Sequence, residues 1–289
     1  MTAPTGKSIL VTGASTGIGR ASVLALLAAG FRVFAAVRSE RAAAALRQDA
    51  PSGTAGRLET LELDVTSADQ IRAAVARVEI AVGDEGLWGL FNNAGITVNG
   101  PLECVPIEGL RRQIEVNVIG QVAVTQAFLP LLRKARGRIV STGSIAGFFA
   151  APALGPYSMS KHALEAFSDA LRREVRPWGI EVSLLEPGAI ATEIWQKGAT
   201  DFDGILRAPP PGLMEKYGGL IQALRKAAAH SAKRAAPTEV VTRAVVHAFS
   251  ASRPKTRYRM GTDSTARKLL SRLPDRWADA LVAKAFRWD

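Results

Sequence analysis

A strand that runs directly into a glycine-rich turn and then a helix is the feature that most limits how this chain can fold. Residues 7–11 have the apolar composition of a buried strand, and the turn 12–19 follows at once, with glycines at positions 13, 17 and 19. A helical apolar pattern continues through Val23, Leu24, Leu26 and Leu27. Such glycines let the backbone turn tightly and approach a phosphate, and the free N–H groups of the helix N-terminus attract the anion. We therefore predict a phosphate-binding unit here.

Apolar strands and helical patterns alternate along the rest of the chain. We predict strands near residues 7–11, 32–37, 58–64, 87–92, 137–142, 180–186 and 256–260. Helical patterns lie near residues 18–29, 40–48, 67–82, 108–135, 157–176 and 238–250. Strands that are apolar throughout, such as 33–37, are typical of a parallel sheet covered on both faces. The predicted fold class is α/β: a single doubly wound (Rossmann) domain with a parallel seven-stranded sheet, whose ligands bind at the carboxyl ends of the strands.

A phenol and an amine lie one helical turn apart in the predicted helix 157–176. Tyr157 and Lys161 are four residues apart, which is a rise of about 6 Å in a helix. An ammonium group beside a phenol favours the phenolate and lowers the phenol pKa, so the tyrosine can take or give the proton of an alcohol. Two common polar residues on an ordinary helix give the same short pattern, so the pair needs support from the rest of the chain.

Further polar residues fall where they can serve such a pair. Ser144 follows the strand 138–141, and its hydroxyl can hold a substrate oxygen against the phenol. On its own it would be an ordinary loop serine. The sequence Asn-Asn-Ala-Gly at 92–95 closes the strand 87–91. Asn117 lies in a helix, where asparagine is disfavoured unless its amide has a task, such as holding a water in a proton relay to Lys161.

With these motifs in one order, residues 7–192 resemble the short-chain dehydrogenase/reductase family, and residues 87–96 and 177–180 resemble its retinol and hydroxysteroid dehydrogenase branch. The resemblance implies an oxidoreductase that moves a hydride between a nicotinamide dinucleotide and a carbonyl or alcohol group. It implies Tyr157 as the catalytic acid or base, and Lys161 as the group that lowers the Tyr157 pKa and binds the nicotinamide ribose. It also implies Ser144 as the partner of the substrate oxygen and Asn117 as the anchor of a water.

The same resemblance implies a row of cofactor-binding residues along the carboxyl edge of the sheet, and no metal site. Besides Tyr157 and Lys161, the row comprises Gly13, Ser15, Thr16, Gly17, Ile18, Gly19, Arg38, Asp64, Val65, Asn92, Ala94, Gly95, Pro187, Gly188 and Thr192. Asp64 is expected to contact adenine. It has a second interpretation as a helix cap for the segment after Thr66, and both roles can hold together.

The end of the second predicted strand bears on the choice between NADP and NAD. An acidic residue there would accept the ribose 2′-hydroxyl of NAD and repel a 2′-phosphate. Val37 occupies that position, and the guanidinium of Arg38 can pair with a phosphate and stack on adenine. NADP(H) is therefore favoured, although a solvated arginine gives the same pattern and Thr16 stands where many NADP-using relatives carry a basic residue. An NAD(H)-dependent alcohol dehydrogenase of the same family is the alternative.

Apolar residues near the predicted site favour a hydrophobic substrate. Residues 192–237 form a long insertion that is typical of a substrate lid. Its apolar residues include Trp195, Phe202, Ile205, Leu206, Pro209, Pro210, Pro211, Leu213, Met214 and Tyr217. Residues 148–152 add apolar surface after Ser144. A steroid, a retinoid or a long-chain carbonyl would suit such a pocket, while core packing is the alternative use of the same residues.

Positive charge is concentrated at the end of the chain. The formal net charge is +11, from 37 basic and 26 acidic residues. Residues 274–288 place Trp277, Leu281 and Val282 at helical spacing beside basic residues. Such a helix can lie on an anionic membrane, cover a neighbouring subunit, or pack on its own domain as a solvated tail. We predict an oxidoreductase domain at 1–262, with the lid at 192–237, and a basic amphipathic tail at 263–289.

Cysteine content and hydropathy bear on location and partners. Cys104 is the single cysteine, no basic-then-apolar export signal opens the sequence, and no unbroken apolar stretch has the length of a membrane span. We expect a cytoplasmic protein that forms a homo-oligomer, a dimer or tetramer, by analogy with relatives. No basic groove with interleaved aromatic residues indicates nucleic-acid binding. The alternative from another functional class is a dinucleotide-sensing or membrane-associated scaffold without turnover.

Overall fold

The protein folds around one sheet of seven parallel strands. The structure is a computed structural model that describes residues 6–192, 212–261 and 264–286. The strands are β1 (Ser8–Val11), β2 (Arg32–Val37), β3 (Leu58–Glu62), β4 (Gly89–Asn92), β5 (Arg138–Thr142), β6 (Glu181–Pro187) and β7 (Arg257–Met260). Their order across the sheet is β3-β2-β1-β4-β5-β6-β7, and every neighbouring pair is parallel. The predicted doubly wound α/β fold is confirmed.

Helices connect the strands and cover both faces of the sheet. They are α1 (Gly17–Ala28), α2 (Glu40–Asp49), α3 (Ala68–Val82), α4 (Ile107–Ile114), α5 (Gly120–Ala135), α6 (Gly155–Glu174), α7 (Leu213–Lys233), α8 (Glu239–Ser250), α9 (Ser264–Leu270) and α10 (Asp275–Phe286). Glu115–Ile119 form a π-helical turn between α4 and α5. The predicted helix 108–135 is therefore correct in extent but interrupted at its middle.

Side chains of the central strands enter two apolar layers, one on each face of the sheet. In β1, Ile9 and Val11 join the layer that contains α1 and α8, whereas Leu10 joins the layer that contains α3 and α5. Successive side chains of a strand point to opposite faces, so both faces must be covered. All three side chains are completely buried. This packing leaves the carboxyl ends of the strands at one edge, where the predicted site residues lie.

The run from α4 to α5 is long, apolar and partly buried in the core. Within the described residues, Ile107–Ala135 is 29 residues long and apolar enough to cross a membrane by length and composition. Its Val124, Phe128 and Leu132 are completely buried in the layer that also contains residues of α3. Helices in the cores of soluble proteins can have the same length and composition, so this run is weak evidence of a membrane span.

Helix α7 occupies part of the segment that we predict as a lid. Its Leu213, Leu220 and Ile221 are buried along one face. This helical spacing is present in the sequence, but Gly218 and Gly219, which disfavour helix, interrupt the pattern. The lid residues Trp195, Phe202, Ile205, Leu206 and 209–211 lie outside the described residues. The lid at 192–237 and the division at 262 stay predictions.

Candidate active site

The glycine loop between β1 and α1 needs glycine at three points. Gly13 (φ 64°) and Gly17 (φ 53°) have left-handed backbone conformations, which glycine adopts without steric cost. Gly19 has a different requirement, because a Cβ atom there would lie 2.1 Å from the carbonyl oxygen of Gly13. The loop folds back so closely that only a hydrogen atom fits at position 19.

The N-terminus of α1 fits a bound phosphate. Thr16 precedes the helix in an extended conformation, and its side chain makes no capping hydrogen bond. The first-turn N–H groups are thus not taken by that side chain, and the positive end of the helix dipole favours an anion. A Cβ atom at Gly17 would lie 3.4 Å from the side chain of Thr192. The glycine loop and Thr192 therefore meet at one crevice, as a shared role in binding a dinucleotide requires.

A chain of hydrogen bonds connects the glycine loop to the lysine. Asn93 Nδ2 donates to the carbonyl oxygens of Thr12 and Gly13, at 3.1 and 3.2 Å. Asn93 Oδ1 accepts from Thr142 Oγ1 at 3.3 Å, and the carbonyl oxygen of Thr142 accepts from Lys161 Nζ at 2.6 Å. Asn93 and Thr142 are absent from the predicted site residues. Their positions at the ends of two central strands are the signal that would identify them.

The structure brings Ser144, Tyr157 and Lys161 together, as the sequence predicts. Ser144 follows β5, is buried, and accepts a 3.1 Å hydrogen bond from the N–H of Ala146 through Oγ. Its hydroxyl is also hydrogen-bonded to the phenol of Tyr157, in the first turn of α6. Lys161 is 4% exposed, and its Nζ lies 5.5 Å from the centre of the Tyr157 ring. A hydroxyl, a phenol and an amine are thus grouped where β5 ends and α6 begins.

Burial shifts the pKa of both groups on α6. Burial raises the pKa of the Tyr157 phenol, and the hydrogen bond with Ser144 only partly opposes that shift. Burial also lowers the pKa of Lys161 to about 8, so the amine is still mainly protonated at neutral pH. In the protein alone the net shift of the Tyr157 pKa is upward, because desolvation of the phenolate has the largest effect, and the lowering of this pKa by Lys161 stays a prediction. At neutral pH Tyr157 is a protonated phenol that can donate its proton.

Asn117 fastens a loop through its side chain. This amide is completely buried in the π-helical turn. Its Oδ1 accepts from the N–H of Ile96 at 2.8 Å, while Nδ2 donates to the carbonyl of Ile96 at 3.0 Å and to Ser160 Oγ at 3.1 Å. One turn earlier, Gln113 binds the same loop at the carbonyl of Ile96 and the N–H of Val98. Both amide hydrogens of Asn117 have protein partners, and its role as the anchor of a water stays a prediction.

The end of β2 carries no acidic side chain. Val37 is 3% exposed, and the Arg38 side chain is 69% exposed with its Nη1 3.8 Å from Asp64 Oδ2. Asp64 accepts hydrogen bonds from the N–H and the hydroxyl of Thr66, at 2.9 and 2.7 Å, which form a local turn. The predicted helix cap is not Asp64, because Ser67 is the N-cap of α3 and accepts from the N–H of Gln70. Burial alone would raise the pKa of Asp64, but the two bonds from Thr66 and the charges of Arg38 and Arg112 hold it below its usual range.

Two open cavities adjoin these residues. One of about 680 Å³ begins at Arg38 and Asp64 and continues along α4, and its volume is in the range of small-molecule sites, about 300 to 1,000 Å³. The other, of about 470 Å³, runs between residues 148–155 and the tail helices α9 and α10. Phe148 and Phe149 line the second cavity, which we name the apolar groove. Residues 148–155 connect Ser144 to the start of α6 along the chain, and the lining of the groove does not include Ser144, Tyr157 or Lys161.

Asn92 does not reach this edge of the sheet. Its side chain is completely buried, and its Nδ2 donates to Thr125 Oγ1 on α5 at 2.8 Å. The amide therefore packs β4 on α5, and only the backbone of Asn92 stands at the strand end. The other predicted cofactor residues in loops or strand ends along the edge are Ser15, Val65, Ala94, Gly95, Pro187 and Gly188, and Ile18 lies in the first turn of α1.

A buried charge cluster lies directly before Pro187. Glu186 is 1% exposed, and its oxygens lie 3.1 Å from Arg257 Nε and 3.4 Å from Arg259 Nε. Arg257 also pairs with Glu165 of α6 at 2.9 Å. Burial, and then the charge of Glu165, raise the pKa of Glu186 to about 7, against the effect of Arg257, Arg259 and Lys268. Glu165 and Glu186 each have one buried oxygen without a hydrogen-bond partner, which a proton would satisfy.

We expect Glu186 to make the folded protein less stable as pH rises from mildly acidic to neutral. Folded Glu186 keeps its proton up to about pH 7, whereas the unfolded carboxyl releases it near 4.5. Between these values the native state binds more protons, so the free energy of unfolding decreases with pH and then levels off. Chemical denaturation across this range should show a smaller decrease for Glu186→Gln than for wild type. Glu181→Gln, an exposed position on the same strand, should keep the wild-type slope, and equal slopes in all three proteins would contradict the assignment.

Comparison with known proteins identifies related sequences over nearly the whole chain. Residues 7–202 match the family model for short chain dehydrogenases. The chain is 40% identical over 281 residues to the NADPH-dependent 3-dehydrocapnine reductase of Ornithobacterium rhinotracheale, covering 95% of both proteins. It is 39% identical over 291 residues to 17-beta-hydroxysteroid dehydrogenase type 6 of Bos taurus, covering 97% of this chain and 89% of that one. It is 36% identical over 282 residues to retinol dehydrogenase 16 of Homo sapiens, covering 96% and 87%.

These matches agree with the geometry of the site. The glycine loop and the Ser144, Tyr157 and Lys161 group lie inside the matched residues 7–202. The chain belongs to the short-chain dehydrogenase/reductase family, in its retinol and hydroxysteroid dehydrogenase branch, and it is an NAD(P)-dependent oxidoreductase.

Proposed function

We propose that the protein transfers a hydride between NADP(H) and the carbonyl or alcohol group of a hydrophobic substrate of steroid, retinoid or long-chain type. The observation that carries this proposal is the grouping of Ser144, Tyr157 and Lys161 at the edge of the sheet that also holds the uncapped N-terminus of α1. The residues suited to hold the dinucleotide are those of the glycine loop, Arg38 and Thr192. When bound, its nicotinamide gives or accepts the hydride.

Tyr157 moves the proton in this reaction. One hydride on carbon and one proton on oxygen convert a carbonyl to an alcohol. In that direction the phenol, protonated at neutral pH, donates to the carbonyl oxygen, and in the reverse direction the phenolate takes the proton from the alcohol. The Ser144 hydroxyl, hydrogen-bonded to the phenol, is placed to hold the same oxygen. The ammonium of Lys161, 5.5 Å from the ring centre, stabilises the phenolate that forms as the proton leaves.

The apolar groove supports a hydrophobic substrate. Its wall at Phe148 and Phe149 follows Ser144 along the chain, and Leu102, Leu270 and Val282 complete an apolar lining. The relatives whose names include a hydroxysteroid and a retinol match this chain over 97% and 96% of its length. Substrates of that size and polarity would suit the apolar wall of the groove, with Ser271, Asp275 and Asp279 at its other side.

Arg38 supports NADP(H) as the cofactor. Its guanidinium is mainly exposed, and with the buried Val37 beside it the end of β2 itself has no carboxylate to repel a 2′-phosphate. A relative named as NADPH-dependent is 40% identical to this chain. One observation favours NAD(H) as the second candidate: Asp64 lies 3.8 Å from Arg38 and already balances part of its charge.

We also propose a homo-oligomer. Ile107 and Met159 lie on α4 and α6, and Ile119 ends the π-helical turn beside them. Their side chains are 59%, 50% and 49% exposed, respectively. Neighbouring helices with exposed apolar side chains are suited to a subunit interface.

A panel of hydrophobic alcohols and ketones, assayed with NADPH and NADH in parallel by the absorbance of the reduced nicotinamide, tests the function. We expect turnover with a higher kcat/KM for NADPH.

Arg38→Glu should lower kcat/KM for NADPH by about 10- to 100-fold, because a charge-assisted contact to phosphate is replaced by repulsion. The kcat/KM for NADH should be affected less. Arg173→Glu, with a matching exposure of 68% at the far end of α6, is the control. A wild-type preference for NADH would support the second candidate, and no turnover with any panel member would contradict the substrate class.

A further inference from the structure

The C-terminal helices pack on the domain through one face. Ala278 and Val282 of α10 line the apolar groove. In α9, the guanidinium of Arg267 lies 5.4 Å from the centre of the Phe149 ring, and the ammonium of Lys268 lies 4.4 Å from that of Phe148. These cation–π contacts hold α9 against the loop after Ser144. The sequence leaves open whether the tail packs on its own domain, and in the structure one face of it does.

Large apolar side chains of the tail helices that do not line the apolar groove are exposed. They are Leu269 of α9 and Trp277 and Leu281 of α10, and we name them the tail stripe. They are 61%, 68% and 50% exposed, respectively. Trp277 and Leu281 are four residues apart in one helix, so they lie on one face of α10. Exposed apolar side chains grouped in this way are suited to an interaction surface.

Charged residues of α10 are divided between the two faces. The acidic Asp275 and Asp279 line the apolar groove on the packed side. Arg276 and Lys284 are exposed, and Lys284 follows Trp277 by seven residues, which places both on one face. The surface of α10 around Trp277 and Leu281 is therefore apolar and positively charged, while Asp275 and Asp279, which are also exposed, lie on the side of the groove.

We propose that the tail stripe docks the protein on an anionic lipid bilayer. Trp277 is suited to the interface between headgroups and acyl chains, where indole rings concentrate, and flanking cations attract anionic headgroups. The net charge of +11 adds a long-range attraction of the same sign. A second copy of the chain is a poorer partner, because a two-fold contact through the stripe would place Arg276 and Lys284 against the same cations of the other subunit.

Docking would also set the orientation of the molecule. The tail forms one wall of the apolar groove, so a docked protein would have that groove on the other side of the tail helices from the lipid. An apolar substrate dissolved in the bilayer would then lie across the tail helices from the groove, a consequence that rests on the proposed function. Vesicle binding is measured without substrate turnover. A failure of the docking proposal can therefore be distinguished from a failure of the proposed function.

Co-sedimentation with vesicles tests the proposal on the full chain. Wild type should bind vesicles of equal parts phosphatidylglycerol and phosphatidylcholine, and bind weakly to pure phosphatidylcholine. Trp277→Ser with Leu281→Ser should lower the partition coefficient about tenfold or more through lost apolar burial. Arg276→Gln with Lys284→Gln should lower it about 25-fold, or about fivefold for each cation.

Matched controls come from the exposed surface of other helices. Ile80→Ser, at a position 78% exposed on α3, and Arg72→Gln with Arg173→Gln, at side chains 71% and 68% exposed, should keep wild-type binding. Melting temperatures show that each variant is folded. The proposal is overturned if wild type does not bind the anionic vesicles, or if the control variants lose binding equally. It is also overturned if Trp277→Ser with Leu281→Ser changes the oligomeric mass in light scattering while vesicle binding is unchanged, since the stripe would then be a subunit interface.

Discussion

Tyr157→Phe is expected to lower kcat by about 100- to 10,000-fold, the usual contribution of a positioned acid or base. The change removes one oxygen atom and leaves the ring in its half-buried place in α6. The Ser144 hydroxyl remains, but it is a far weaker acid than a phenol and cannot replace the lost proton donor. The dissociation constant for NADPH, measured by its fluorescence, should change little, because the ring and Lys161 still shape the crevice.

Tyr258→Phe is the matched control for this substitution. The Tyr258 phenol is hydrogen-bonded to His247 Nδ1 at 2.8 Å and accepts from the N–H of Lys255 at 3.0 Å. Loss of these bonds in β7 should lower the melting temperature while kcat stays close to wild type. Tyr157→Phe should instead lower kcat and leave the melting temperature close to that of wild type. If the Tyr157→Phe enzyme keeps most of its kcat, Tyr157 is not the group that moves the proton.

The same measurement separates the enzyme from a scaffold that binds a dinucleotide without turnover. Binding of NADPH with no turnover in wild type, across the whole substrate panel, is the result that a scaffold predicts. A large difference in kcat between wild type and Tyr157→Phe, at equal NADPH affinity, is the result that hydride transfer predicts. The hydrogen bond between Ser144 and Tyr157, and the proximity of Lys161 to the ring, favour the second result.

The fold could be predicted because the sequence patterns that indicate it are short and recur along the chain. Continuous apolar runs such as Val33 to Val37 must be buried on both faces, and their alternation with helices specifies a parallel sheet. The catalytic group could be predicted because Ser144 and Tyr157 stand directly after strand β5 and at the start of helix α6. Helix α7 was missed, since the glycine pair at 218 and 219 weakens its local pattern and only packing of its buried face restores it.

Properties that depend on several distant groups could not be predicted from the sequence. The sign of the Tyr157 pKa shift depends on how deeply the phenol is desolvated, which no spacing of residues reveals. Asn117 is committed to the loop at Ile96 because a π-helical turn holds its amide against that loop. The Glu165 and Glu186 carboxylates approach Arg257 only after α6 and β7 have packed beside β6. Each of these properties depends on how at least two elements that are far apart in the chain pack against each other.

Gly19→Ala is expected to destabilise the protein by about 3 kcal/mol or more, as overpacking of a closely packed site does. The added Cβ atom would lie 2.1 Å from the carbonyl oxygen of Gly13 and 2.5 Å from Asn93 Nδ2. Asn93 cannot easily move away, because that nitrogen donates to the carbonyl oxygens of Thr12 and Gly13. The melting temperature should fall by about 5 to 10 °C.

Because Asn93 also accepts from Thr142, whose carbonyl holds Lys161, displacement of the loop should reach the catalytic lysine. Gly19→Ala should therefore weaken NADPH binding and lower kcat together, whereas Tyr157→Phe affects kcat alone. Gly219→Ala is the control with the opposite sign: no atom lies within 4 Å of a Cβ atom there, and alanine is favoured over glycine in a helix by about 1 kcal/mol. It should raise the melting temperature slightly. A Gly19→Ala protein with wild-type stability and NADPH affinity would contradict this prediction. It would show that the glycine loop can move away from position 19 with no loss of stability.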